Sequence, residues 1–205
     1  MHPKEVYFIR HGETEQNKLG IVQGSGIDSD LNNLGLIQGK AFHTNFLDKE
    51  FDVAISSDMK RAYQTIQFFE NHKLVIERDP RIKEICWGEH EGKQGDPELL
   101  TKYYKIIESW KSGDYHVSAL FGESAAEMEA RLIEFLNDLE FRKARRVLVC
   151  THGRTLRALV CKLKNWPLSR MEEIEHSNTG LYHGIYDGKS WEIIKENYIG
   201  HLNGI

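Results

Sequence analysis

No part of this 205-residue chain approaches the ~20 consecutive apolar residues of a membrane span. The first apolar run, residues 6–9, is too short for the core of a signal peptide. The chain is therefore expected to reside in the cytoplasm, off the membrane. Cysteine is scarce: Cys86, Cys150 and Cys161 are an odd number, show no C-x-x-C spacing and lie in apolar-leaning segments. That argues against a disulfide framework and against a zinc site. A basic excess is also missing. The formal net charge of −4 opposes any general attraction to nucleic acid or anionic membrane, so an anionic ligand would need a local positive site. Internal repeats, low-complexity tracts and interdomain linkers are absent as well.

What is present suits one packed core. With 40% hydrophobic and 28% charged residues, a single domain over residues 1–205 is expected. Residues 5–9 (EVYFI) read as a buried strand that ends in Arg10-His11-Gly12. Residues 35–48 carry Ile37, Ala41, Phe42 and Phe46 at near-helical spacing, and residues 52–56 form a second strand. A helix over 59–71, a short strand over 74–77 and an amphipathic helix over 124–141 follow. Residues 146–150 (RVLVC) make a further strand ending in Thr151-His152-Gly153, with a helix from about Arg154 to Lys164. Strands over 181–186 and 190–195 pair about Asp187-Gly188, a dipeptide that suits a tight primed turn. Strands alternating with helices predict an α/β sandwich with a mainly parallel sheet. The least regular stretch, 86–122, is a candidate substrate lid. Its aromatics and lysines between Trp87 and Tyr115 read more simply as a surface helix packed on the body.

The chemistry gathers at strand ends. Ligands of open α/β sheets bind at the carboxyl ends of strands, and two separate strands here end in His-Gly. A glycine permits close backbone approach, and a following helix N-terminus offers N–H groups to an anion. Either histidine alone is more often incidental. Arg61 follows the second strand at a helix start and can grip phosphate oxygens with its planar fork. Glu84 follows the third strand and adds a carboxyl group. Two histidines, two arginines and one acid on successive strand ends form a phosphoryl-transfer set.

The ordered segments RHGETEQN from Arg10, QG at Gln23, SSDMKRAYQT from Ser56, RIKEICWGEHEG from Arg81, GES at Gly122 and THG at Thr151 resemble the motifs of the histidine phosphatase superfamily over almost the whole chain. The resemblance implies the phosphoglycerate mutase-like three-layer α/β fold. It implies His11 as nucleophile, Arg10, Arg61 and His152 as the phosphate pocket, and Glu84 as proton donor. It further implies Asn17, Gln23, Gly24, Gly153 and Arg154 on the substrate side, with no metal and no cofactor. In that scheme a neutral His11 attacks phosphorus in line. Arg10, Arg61 and a protonated His152 stabilise the equatorial oxygens. Glu84 protonates the leaving oxygen and later activates water.

Other phosphatase and metal patterns fail. Cysteine phosphatases place an arginine six positions after the nucleophile, whereas Arg157 is seven after Cys150. Asp28-Ser29-Asp30-Leu31-Asn32 ends in asparagine where an aspartate phosphatase needs Thr or Val, and His90-Glu91 is followed by Gln94 where H-E-x-x-H needs histidine. A non-catalytic phosphate-binding module would have no need of both His11 and Glu84. Within the family, Gln23-Gly24 and the lack of the mutase pattern of a lysine and paired arginines after Glu84 favour a phosphatase of a small phosphorylated metabolite over a phosphoglycerate mutase. Gln16, Ser29-Asp30 and Arg154 depart from the usual pattern and leave the substrate open, as the oligomeric state is open.

Overall fold

The computed structural model describes residues 3–72 and 74–205. Six strands, β1 (Lys4–Arg10), β2 (Val53–Ser56), β3 (Ile76–Arg78), β4 (Arg146–Thr151), β5 (Leu181–Tyr186) and β6 (Trp191–Tyr198), form one sheet in the order β3-β2-β4-β1-β5-β6. The first four are parallel, and β5 and β6 run antiparallel at one edge. The helices are α1 (Glu15–Leu19), α2 (Asn33–Phe46), α3 (Lys60–Ile66), α4 (Pro97–Lys111), α5 (Ala125–Phe141) and α6 (Gly153–Leu163).

Successive residues of a strand point to opposite faces, and the central strands are apolar on both. Val6, Phe8, Val53, Ile55, Val147 and Val149 face a core shared with Met128, Leu132 and Phe135 of α5 and Leu156, Leu159 and Val160 of α6. Tyr7, Ile9, Ala54, Leu148 and Cys150 face Phe42 and Phe46 of α2 and Ala62 and Ile66 of α3. Burial on both faces is why β1, β2 and β4 read as continuous apolar runs. The result is the expected three-layer α/β fold.

Two local expectations change. The hairpin turn is centred on Gly188-Lys189, one residue past Asp187-Gly188: the Asp187 N–H donates to Ser190 O (3.2 Å), and Asp187 Oδ1 accepts from the backbone N–H of Lys189 (2.7 Å) and Ser190 (2.8 Å). Gly188, at φ +100°, takes the first central position of a tight primed turn, and the Asp187 side chain adds an Asx-type bond to it. The segment after Glu84 is more regular than its composition implied. Asp96 caps α4, Pro97 occupies its first turn, and Ile106, Ile107 and Trp110 enter the core. It is the packed surface helix of the simpler reading. No helix among the described residues is long and apolar enough to cross a membrane.

Candidate active site

The parallel pairing of β1 with β4 sets Arg10 opposite Thr151, so the two His-Gly steps leave the sheet side by side. The His11 N–H donates to Thr151 O at 2.9 Å, and the imidazole rings of His11 and His152 lie 5.1 Å apart. Both glycines are required by close approach. A Cβ on Gly12 would stand 2.6 Å from Gly35 O of α2, and one on Gly153 would stand 2.8 Å from His176 Cδ2.

The His11 ring has a defined tautomer. Its Nδ1 lies 2.7 Å from Gly12 O, a carbonyl that can only accept, so Nδ1 carries the proton and Nε2 keeps its lone pair. Burial first, then Arg61 and Arg10, hold His11 well below the usual histidine pKa. The imidazole is therefore neutral at physiological pH, as a nucleophile must be. Burial, followed by Arg61, His11 and Arg10, has the same effect on His152. A protonated His152 is thus not the state of the free pocket, because two arginines already crowd it. Its Nε2 lies 2.8 Å from Ser57 Oγ, whose hydroxyl also reaches Asp58 Oδ1 at 3.4 Å. Ser57 has one hydroxyl hydrogen: turned to Nε2 it puts the His152 proton on Nδ1, and turned to Asp58 Oδ1 it leaves Nε2–H donating to Ser57 Oγ.

Three buried nitrogens around His11 have no protein partner: Arg10 Nε, Arg61 Nε and His152 Nδ1. The two guanidinium N–H donors, and the ring nitrogen in its Nδ1–H tautomer, are costly to leave unpaired, and together they suit an anion. Burial, opposed by Glu84 and assisted by Arg61 and Arg157, brings the Arg10 guanidinium down to about 10, still charged at neutral pH. Arg10 Nη1 is anchored on His176 O at 2.8 Å. Arg61, fully buried, donates from Nη1 to Ile27 O (2.6 Å) and from Nη2 to Gly24 O (3.3 Å).

Glu84 is held at the N-terminus of α6. Its Oε1 accepts from the N–H of Ile85 (3.0 Å) and the N–H of Thr155 (3.1 Å), and lies 3.1 Å from Thr155 Oγ1, whose hydroxyl also reaches Lys83 O at 2.7 Å. Among the described residues its Oε2 accepts only from the Arg154 N–H at 3.1 Å, which leaves that oxygen room for a proton.

A cleft of about 180 Å³ joins these groups. It is lined by Arg10, His11, Asn17, Val22, Gln23, Glu84, Trp87, Tyr103, Gly153, Arg154 and His176. Seven of the ten residues expected at the site therefore stand on its wall. Arg61 and His152 lie behind His11 with no exposed surface, and Gly24 contributes its carbonyl to Arg61. Asn17 completes a capping box with Thr14, and Gln23 Nε2 donates to Thr14 Oγ1 at 2.6 Å. Sequence reasoning missed His176, which ends no strand and sits in no motif. It also passed over Ser57 and Thr155, although both lie inside the quoted segments or directly beside them.

The family model for the histidine phosphatase superfamily (branch 1) matches residues 6–199. The chain belongs to this superfamily. It is 31% identical over 200 residues to phosphoserine phosphatase 1 of Hydrogenobacter thermophilus, covering 97% of this chain and 94% of that one. A metal-independent phosphoserine phosphatase of Arabidopsis thaliana is 29% identical, covering 98% of this chain and 84% of that one. The phosphoserine phosphatase of Entamoeba histolytica, solved with 3-phosphoglyceric acid, superposes with a TM-score of 0.83 at 26% identity, covering 97% of this chain and 98% of that one. Relatives also include a phosphoglycerate mutase-like protein. As a histidine phosphatase, the chain has no use for Cys150 as nucleophile: the thiol is fully buried, and burial raises its pKa far above the range of an activated cysteine.

Proposed function

We propose that the protein is a phosphoric monoester hydrolase that releases phosphate from a small metabolite through a phosphohistidine on His11, without a metal. The observation that carries this reading is the His11 tautomer, with Nδ1–H fixed on Gly12 O and Nε2 free beside three unpaired cationic or N–H donors.

His11 Nε2 attacks phosphorus as the ester P–O bond breaks. Arg10, Arg61 and a neutral His152 donating from Nδ1 take up charge on the equatorial oxygens. Glu84 passes a proton to the leaving oxygen. The resulting carboxylate then takes a proton from water, which attacks the phosphohistidine and frees inorganic phosphate and His11. The names of the relatives make phosphoserine the first ester to assay. The purified protein should release phosphate from phosphoserine and from nitrophenyl phosphate, and His11→Ala should release none from either. Undiminished turnover by His11→Ala would overturn the mechanism.

A further inference from the structure

Arg154 stands outside the phosphoryl chemistry, yet the fold fixes it at the leaving-group end of the cleft. Its backbone N–H donates to Glu84 Oε2 at 3.1 Å, so its side chain begins where the leaving oxygen must receive its proton. The guanidinium is nearly buried. It pairs through Nη1 with Glu172 and donates through Nη2 to the Tyr103 hydroxyl at 3.0 Å. Its central carbon lies 5.6 Å from the ring centres of both Trp87 and Trp110, a geometry that holds the fork in place. Glu172 is shared, since Arg157 Nη1 reaches its other oxygen at 2.7 Å.

Two arginines on one carboxylate leave one positive charge over. Its field reaches the neighbouring cleft residue His176: burial first, then Arg10, Arg157 and Arg154 bring that imidazole down to about 3. Arginine has five N–H donors, and Arg154 spends two on the contacts described. The cleft, at about 180 Å³, falls below the ~300–1,000 Å³ usual for larger ligands. A leaving group of only a few heavy atoms fits, so an anion on it would lie close to the ester oxygen.

We propose that Arg154, with the Tyr103 hydroxyl, binds a carboxylate on the leaving group and so selects phosphorylated hydroxy or amino acids over phosphate esters of neutral or cationic alcohols. This rests on the phosphatase reading above.

The test uses matched pairs. Phosphoserine and phosphoethanolamine differ only by the carboxylate. 3-Phosphoglycerate and glycerol 3-phosphate differ by carboxylate against hydroxymethyl. The wild-type kcat/KM should favour the acid member of each pair by about tenfold to a hundredfold, the range of a hydrogen bond to a charged group. Arg154→Met should collapse that ratio, mainly through KM for the acids. Arg154→Lys, which keeps the charge but loses the fork, should restore part of it. Tyr103→Phe should lower the ratio without removing it, and this keeps the test open if Arg154→Met does not fold. A wild-type enzyme that hydrolyses all four esters without preference would overturn the carboxylate site while leaving the phosphatase reading standing. So would an Arg154→Met loss shared equally by both members of each pair. Failure to release phosphate from any ester, nitrophenyl phosphate included, would overturn both.

Discussion

Replacing Glu84 by glutamine separates the acid's structural role from its chemical one. The swap conserves shape but not hydrogen bonding. An amide oxygen can take the place of Oε1 and keep the two N–H donors there, from Ile85 and Thr155. The amide nitrogen then falls at the Oε2 position, facing the Arg154 N–H at 3.1 Å, donor against donor. Flipping the amide is worse, because it sets the nitrogen against two N–H groups. One buried donor left unsatisfied costs about 1–3 kcal/mol. For a chain of this size that lowers Tm by roughly 2–12 °C. The chemical loss depends on the leaving group. An alkyl ester such as phosphoserine needs the proton, and its phosphorylation step should slow by about 10²–10⁴. Nitrophenolate leaves without one, so Glu84→Gln should still be phosphorylated by nitrophenyl phosphate. Lacking a base for water, it should then accumulate labelled enzyme. Scanning calorimetry, together with rapid-quench phosphorylation by both esters, reads all three effects. A variant as stable as wild type, or one slowed equally with both esters and never labelled, would refute the hydrogen-bond account of Glu84.

Stability should fall on mild acidification. His11, His152, His176 (about 3) and His201 (about 4) all titrate below 6.5 in the folded protein. Below pH 6.5 the unfolded chain binds protons that the folded one refuses, so stability is full above that pH and declines towards pH 4 and below. Urea midpoints at pH 7.5 and 5.0 check the sign, and an unchanged or higher midpoint at 5.0 would contradict it. Excess chelator should leave phosphoserine hydrolysis intact, because the transition-state charge rests on Arg10, Arg61 and His152. Activity that returns only with a defined metal would defeat the mechanism. Incubation with 3-phosphoglycerate and its bisphosphate primer should yield mainly inorganic phosphate, whereas rapid 2-phosphoglycerate formation without phosphate release would mark a mutase.

The strands were legible because β1, β2 and β4 are buried on both faces and carry unbroken apolar runs. The loops between them were less so. Asp187 bonds the far side of its turn through its own side chain and sets Gly188-Lys189 at the centre, a one-residue shift that the Asp-Gly pair alone does not reveal. Residues 97–111 form a helix whose buried residues Ile106, Ile107 and Trp110 are spaced among charged and polar neighbours. Of the site, the strand-end residues could be read because the parallel sheet brings successive strand ends to one edge. His176 could not, since it enters the cleft from a loop, with Arg10 on its carbonyl and Gly153 against its ring. The protonation of His152 in the free pocket was not legible for a related reason. A histidine near phosphate suggests a cation, but Arg10 and Arg61 are already packed around it in the free pocket.

The central claim is that one of two adjacent imidazoles carries the phosphoryl group. Glu84→Gln quenched after reaction with nitrophenyl phosphate, digested at alkaline pH and sequenced by mass spectrometry should show an acid-labile, alkali-stable phosphoryl group on His11, and His11→Ala should show none. A phosphoryl group found on His152, or trapped in His11→Ala, would contradict the account.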